Sequence, residues 1–161
     1  MMAGSHLAIG AAAWMLAAPH LGLAPLDPPA LTLACAGAIL PDIDHPRSWL
    51  GHRLRPLARP IAATIGHRGL THSIFALVAA LLLLRWQGVS RALLAPLAVG
   101  YLSHLAADLI TPAGLPLAWP FRRRFALPLC RTGSPAEFLI AAGFLVSATA
   151  ASLGLSPFSG L

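Results

Sequence analysis

The sequence predicts an all-α integral membrane protein: a bundle of four or five spans that forms one domain over residues 1–161. The first observation is composition: 57% of the 161 residues are hydrophobic and 10% are charged, with a mean hydropathy of +0.74. A soluble domain carries about a quarter charged residues. The second observation is a set of five apolar stretches, near 7–25, 29–41, 70–88, 91–110 and 135–155. A single core of this size cannot bury so much apolar surface, so most of it must face lipid or other apolar helices.

A membrane-crossing helix needs roughly 20 apolar residues, and the five stretches meet this length to different degrees. The first is interrupted by Pro19 and His20. The second is short and crosses only with tilt, with bilayer thinning or in a partly interfacial position. The third and fifth approach the required length, whereas the fourth is as long but carries His104 and Asp108. The sequence is therefore compatible with either four or five spans.

The basic residues predict the orientation of these spans. All eleven are arginine, and nine of them lie in the loops 42–69 and 111–134. Arginine-rich loops mark the cytoplasmic side of a membrane protein. We therefore expect a multi-pass membrane protein with a cytoplasmic N-terminus. Because arginines flanking apolar spans are an ordinary topology signal, the positive charge does not favour nucleic acid as a partner.

This topology places seven His and Asp side chains at one cytoplasmic membrane face, with Glu137 beside them. They are His6, Asp42, Asp44, His67, His72, His104 and Asp108. An ionisable group in or near a membrane indicates a functional site by default. Imidazole and carboxylate ligands without thiolate suit a divalent ion, with zinc foremost and manganese or iron as alternatives. Cys35 and Cys130 lack a CxxC partner and do not suggest a thiolate site.

Taken singly, each motif has an ordinary structural interpretation. His104 and Asp108 share a helix face at i and i+4, which suits a ligand pair but also a hydrogen-bonded pair between helices. The PDID segment resembles a helix stop with Asx-turn chemistry. Together the seven residues predict a site for one or two ions that activates water for hydrolysis. Asp44 is the preferred base, although spacing does not separate it from Asp42. Arg68 would hold a phosphate oxygen, or merely anchor the interface.

Three sequence blocks carry a resemblance to a known family: PDIDHPRS at 41–48, HRGLTHS at 67–73 and GYLSHLAADLITPAG with the following WPF at 100–121. They resemble the small inner-membrane metal-dependent hydrolases, one of which is described as LexA-binding. The resemblance implies a helical membrane protein with a His/Asp metal site and hydrolase activity. It does not imply a substrate.

A more distant similarity links the residue order to zinc-dependent phospholipases C and P1-type nucleases. It implies that the ligands are His6, Asp42 or Asp44, His67 or His72, His104 and Asp108. The chain departs from that pattern downstream, where Gly133 stands four residues before Glu137 and no histidine follows His104. We also expect the N-terminal amine ligand of those enzymes to be absent, because MMAGS precedes His6.

The leading hypothesis is a hydrolase that cleaves a phosphoester of a membrane lipid or a lipid-linked substrate at the cytoplasmic face. One alternative is a metal or proton transporter. The other is a non-enzymatic adaptor that holds a structural metal and binds a cytosolic regulatory protein through its arginine-rich loops. The sequence gives no oligomeric state.

Overall fold

The structure, a computed structural model, describes residues 1–65, 69–121 and 123–155. Regular structure in these ranges is helical, which confirms the all-α prediction. Seven α-helices are present in the described ranges: α1 Ala3–Ala17, α2 Pro28–Ile39, α3 Trp49–Arg53, α4 Arg55–Ile65, α5 Ile74–Trp86, α6 Arg91–Leu109 and α7 Pro135–Ser152. Short 3-10 turns occupy Pro19–Leu21, Leu40–Asp44 and Leu70–His72.

The helix starts follow local sequence signals. The Asp27 carboxylate accepts the Ala30 N–H at the start of α2, and the Ser73 hydroxyl accepts the Phe75 N–H at the start of α5. Such side chains replace the missing backbone acceptors of a first helical turn. Helix α1 ends at Ala17, two residues before Pro19. The helix is therefore shorter than the first apolar stretch, which runs to about residue 25.

Helix α6 is the centre of the bundle and packs against α1, α2 and α5. Its closest approach is to α2, where glycines leave no room for a side chain. A Cβ atom on Gly100 would lie 1.9 Å from the Ala34 carbonyl oxygen, and one on Gly37 would lie 2.3 Å from the Leu97 carbonyl oxygen. Small residues allow such backbone proximity between membrane helices. This contact fixes the end of α2 beside the last turns of α6.

The outer helices expose apolar side chains, as lipid-facing helices do. On α5, Leu77 is buried against the α6 side, whereas Leu82 and Trp86 are exposed. On α7, Leu139 and Val146 are exposed. These surfaces agree with the composition-based prediction of a membrane protein.

Helix length supports fewer membrane crossings than the sequence predicted. Within the described residues, only α6 and α7 have both the 18 or more residues and the apolar composition of a membrane-crossing helix. Helices α1, α2 and α5 have 15, 12 and 13 residues. At 1.5 Å per residue they are about 18–23 Å long, against a hydrocarbon core of about 30 Å. The bundle of four or five spans is therefore not confirmed.

The predicted cytoplasmic loop 42–69 is also more ordered than expected. It contains α3 and α4, two short helices that follow the PDID turn. Ala58 of α4 is buried, whereas Arg55 and Arg59 are exposed. The two helices therefore form a basic surface beside the end of α2.

Candidate metal site

Helix ends and turns converge at one end of the bundle and bring six predicted residues together. His6 lies in the first turns of α1, and His104 and Asp108 lie in the last turns of α6. The 3-10 turn after α2 carries Asp42 and Asp44, and the turn before α5 ends at His72. The side chains are buried except that of Asp42, which is 20% exposed. The structure therefore brings these six residues together at one end of the bundle.

The orientation of His104 is set by the backbone of α2. Its Nδ1 lies 2.7 Å from the Ala38 carbonyl oxygen. A carbonyl only accepts, so Nδ1 carries the hydrogen and Nε2 carries the lone pair. The close contact between α2 and α6 places this carbonyl within reach.

His72 is held in the same way by side chains from its own turn and the PDID turn. Its Nδ1 lies 3.1 Å from the Thr71 hydroxyl and 3.4 Å from Asp44 Oδ2. Thr71 donates its hydroxyl hydrogen to Asp44, which leaves the hydroxyl oxygen to accept from His72. Tyr101 of α6 donates its hydroxyl hydrogen to the Thr71 carbonyl and ties this turn to the bundle.

The two imidazoles therefore present the same nitrogen to one point. Their Nε2 atoms lie 3.3 Å apart. Asp42 Oδ1 lies 3.8 Å from Nε2 of His72 and 3.9 Å from Nε2 of His104, and Asp108 Oδ2 lies 3.9 Å from both. Tetrahedral nitrogen and oxygen ligands about 2.0–2.2 Å from a zinc ion are about 3.3–3.6 Å apart. The four donors are thus close to the spacing that such an ion requires.

His6 extends the cluster on the far side of His104. The two rings stack with centroids 3.9 Å apart and an interplanar angle of 16°. His6 Nε2 lies 3.5 Å from Asp108 Oδ1, and its Nδ1 is buried without a hydrogen-bond partner in the described part of the chain. His6, His104 and Asp108 form a second group of donors that overlaps the group of Asp42, His72 and His104.

The N-terminal amine lies at the cluster, although MMAGS separates it from His6 in the sequence. The Met1 amino group is 2.6 Å from Asp108 Oδ1 and is buried. The segment before α1 is held at Met2, whose N–H donates at 2.7 Å to Glu137, buried at the start of α7. Glu137 also accepts the Gly133 N–H at 2.7 Å. Its carboxylate therefore positions the chain near the site.

Residues 1–158 match the YdjM inner membrane protein family. The chain belongs to that family. It is 49% identical to the inner membrane protein YdjM of Escherichia coli strain K12 over 106 residues, which cover 63% of this chain and 53% of the relative. The YdjM of Shigella flexneri gives the same identity and the same coverage. The chain thus spans about half the length of these two relatives.

A third relative covers nearly the whole chain. The uncharacterized protein YvsG of Bacillus subtilis strain 168 is 32% identical over 149 residues, or 91% of each chain. No solved structure matches the sequence. Membership of the YdjM family confirms the inner-membrane part of the predicted resemblance. The family description names a location and no activity, so the hydrolase and LexA-binding parts stay predictions.

Other predicted residues of this YdjM-family chain have different outcomes. His67 and Arg68 lie outside the described residues. Asp44, the preferred base, is fully buried behind His72 and contacts its Nδ1. Asp42 is the carboxylate that reaches an open cleft of about 520 Å³. The geometry therefore favours Asp42 over Asp44 for contact with water.

Sequence reasoning missed the groups that orient the histidines. These are the Ala38 carbonyl, the Thr71 hydroxyl and the Tyr101 hydroxyl. Tyr101, the one tyrosine of the chain, stands three residues before His104 and therefore shares its helix face. Thr71 is adjacent to His72. A signal thus existed for two of the three, but a backbone carbonyl leaves no mark in a sequence.

Proposed function

We propose that this chain is a membrane-embedded, metal-dependent hydrolase that cleaves a phosphoester of a lipid or lipid-linked substrate at the cytoplasmic face. One observation carries the proposal: His72 and His104 have their Nδ1 atoms held by oxygen acceptors and their Nε2 atoms 3.3 Å apart between two carboxylates. Histidines that ligate metals usually donate their other nitrogen to a carboxylate or carbonyl in this way.

The residues divide into ligands and supporting groups. His72, His104 and Asp108 are the proposed ligands of a divalent ion, with zinc foremost and manganese or iron as alternatives. Catalytic zinc sites commonly use three protein ligands and keep one position for water. When bound, such an ion lowers the pKa of that water and polarises a phosphoryl oxygen. His6, stacked on His104, is the further donor that a second ion would use.

Asp42 and Asp44 then take different roles. Asp42 is partly exposed and borders the cleft, so we assign it to accept the proton of the attacking water. Asp44 orients His72 from behind through Thr71 and directly. Hydrolysis adds water across the ester, so that the P–O bond breaks and the alcohol leaves with a proton.

The proposal includes a multi-pass arrangement with the site on the cytoplasmic side. Nine of the eleven arginines lie in the sequence segments 42–69 and 111–134, and the other two, Arg85 and Arg91, lie near the turn between α5 and α6. Exposed apolar side chains on α5 and α7 support lipid contact along both helices. This arrangement places the cluster where lipid headgroups meet the cytosol.

Elemental analysis of the detergent-purified protein tests the metal site. We expect about one or two equivalents of zinc, manganese or iron in the wild type, as the donor set suggests. His104→Ala should lose the metal. His52→Ala is the matched control, because His52 is exposed and contacts Arg55 outside the cluster, and it should keep the metal. Absence of metal after reconstitution, in protein that elutes as a folded species, would overturn the proposal.

Turnover separates the enzyme from the adaptor alternative. A structural metal in a protein that only binds a cytosolic regulator closes its coordination shell with protein ligands and supports no hydrolysis. We expect the metal-loaded wild type to hydrolyse short-chain phospholipids such as dihexanoyl phosphatidic acid, and Asp42→Asn to bind metal but lose most of this activity. Metal binding without turnover of any phosphoester would favour the adaptor.

A further inference from the structure

We propose that the cleft beside Asp42 binds the anionic phosphate headgroup of an amphiphilic substrate and that Arg47 is the residue that holds the phosphate. The inference rests on the proposed hydrolase function and names the class of substrate. Arg68, which the sequence suggested for the same role, lies outside the described residues.

The cleft has the size and position of a headgroup site. Its volume is about 520 Å³, within the range of small-molecule sites in proteins. The cleft is lined by the segment that carries His45, Arg47 and Trp49, together with Gly4 and Thr132. Asp42 also lines the cleft, and its Oδ1 lies 3.8 Å from Nε2 of His72. A group bound in the cleft therefore adjoins the candidate metal donors.

The wall that carries Arg47 is tied to Asp42 by hydrogen bonds. The Ser48 hydroxyl donates to the Asp42 carbonyl at 2.7 Å and accepts the Gly51 N–H at 2.9 Å. The Ser48 N–H donates to the His45 carbonyl at 2.9 Å. These bonds tie the turn to the PDID segment. Arg47 is thus carried on a turn whose backbone is hydrogen-bonded to the segment that holds Asp42.

The charges around the cleft favour an anion. Asp42 is the sole carboxylate among the described lining residues, and it belongs to the candidate site. No ion pair in the described ranges involves Arg47, whose side chain is exposed. The guanidinium fork matches the geometry of phosphate oxygens, to which it donates two hydrogen bonds.

The apolar residues at the cleft favour an amphiphile over a soluble phosphoester. Trp49 and Met2 line the cleft and are 47% and 48% exposed. The Arg53 guanidinium stacks on the Trp49 ring, 3.9 Å from its centroid. Tryptophan and arginine together are typical of a membrane–water interface. The tail of a bound lipid would therefore leave the cleft along Trp49 toward the bilayer.

Steady-state kinetics on the metal-loaded, detergent-purified protein test Arg47. The probes are dihexanoyl phosphatidic acid, its zwitterionic analogue dihexanoyl phosphatidylcholine and soluble glycerol 3-phosphate. Hydrogen bonds to charged groups contribute about 1.5–3 kcal/mol, so Arg47→Gln should lower kcat/KM for phosphatidic acid about 10- to 150-fold, mostly through KM. Arg47→Lys should recover part of the loss. Arg59→Gln removes an exposed charge of α4 outside the cleft and should stay within about twofold of the wild type.

The outcomes separate this inference from the function on which it rests. If the wild type binds metal and hydrolyses none of the probes, the hydrolase function fails. Calorimetric binding of inorganic phosphate that weakens in Arg47→Gln and not in Arg59→Gln would still support the cleft. If the enzyme is active and Arg47→Gln matches the wild type in KM, the cleft assignment is overturned while the hydrolase stands. Equal efficiency on glycerol 3-phosphate and phosphatidic acid would overturn the amphiphilic substrate.

Discussion

At the scale of single residues, the candidate site depends on groups that do not face its centre. Asp44 is fully buried and contacts the outer nitrogen of His72, while the Ala38 carbonyl contacts the outer nitrogen of His104. Each outer contact selects the tautomer that leaves Nε2 as the donor atom. A metal would therefore meet two imidazoles that are already oriented, with little entropy left to lose on binding.

Substitution of Asp44 tests this dependence. Asp44→Asn keeps the size of the side chain but removes the charge that faces Thr71 and His72, so we expect metal affinity to fall about 10- to 100-fold. A chelator competition titration measures this change. Asp27→Asn is the matched control, because Asp27 caps the other end of α2 and asparagine caps helices equally well. Unchanged affinity in Asp44→Asn would show that Asp44 does not position His72.

The sequence could predict the site residues and their roles only in part. The i, i+4 spacing of His104 and Asp108 and the end positions of His6, Asp42 and His72 were enough to place them at one face. Spacing could not divide the work of Asp42 and Asp44, because the difference lies in burial: the 3-10 turn directs Asp44 inward and leaves Asp42 partly exposed. The inward position of the Met1 amine was likewise invisible, since it depends on Glu137 at the start of α7.

At the scale of elements, the pairing of α2 with α6 determines the site. Gly37 and Gly100 let the two backbones touch, and the contact continues to the Ala38 carbonyl and His104. A side chain at either glycine would separate the helices and move this carbonyl away from the ring. The close packing of α2 on α6 therefore also orients the His104 side chain.

Two glycine substitutions separate this contact from a general effect on helices. Gly100→Ala would place its Cβ 1.9 Å from the Ala34 carbonyl oxygen, so we expect a loss of about 1–3 kcal/mol in stability together with weaker metal binding. Gly143→Ala on α7 meets nothing within 4 Å and should be neutral or stabilising, because alanine favours helix by about 1 kcal/mol. Thermal unfolding in detergent measures both, and equal stability of the two variants would contradict the packing argument.

Element boundaries show where hydrophobicity misled the sequence reasoning. The third apolar stretch begins at residue 70, but residues Leu70–His72 form a 3-10 turn and α5 starts only at Ile74. That turn carries His72 into the site. Residues 70–72 were therefore included in the apolar stretch, although they belong to the polar cluster and not to the helix. Helices α3 and α4 were missed because residues 47–60 contain two prolines and a glycine among four arginines, and prolines and glycines typically mark loops.

At the scale of the whole molecule, charge and apolar surface are separated along one axis. Four of the five acidic residues and the described histidines of the cluster gather at one end, next to the basic surface of α3 and α4. The other end has Arg85 and Arg91 near the turn between α5 and α6. This separation places the polar groups at helix ends, whereas the exposed apolar side chains of α5 and α7 lie along the helix flanks.

The orientation of this axis depends on whether the short helix α5 crosses the membrane. Its 13 residues span about 20 Å, which is shorter than the hydrocarbon core of about 30 Å. Thinning of the bilayer and extension of the Arg85 side chain toward the interface accommodate this mismatch at a cost of fractions of a kcal/mol per Å. Single cysteines at two exposed positions that flank it, Ala63→Cys on α4 and Gln87→Cys after α5, report the crossing in a chain whose Cys35 and Cys130 are replaced by alanine. In right-side-out vesicles, a membrane-impermeant maleimide should label Gln87→Cys at once and Ala63→Cys only after detergent is added. Labelling of both from outside would mean that α5 does not cross, and the reverse pattern would place the site on the opposite side and overturn the cytoplasmic assignment.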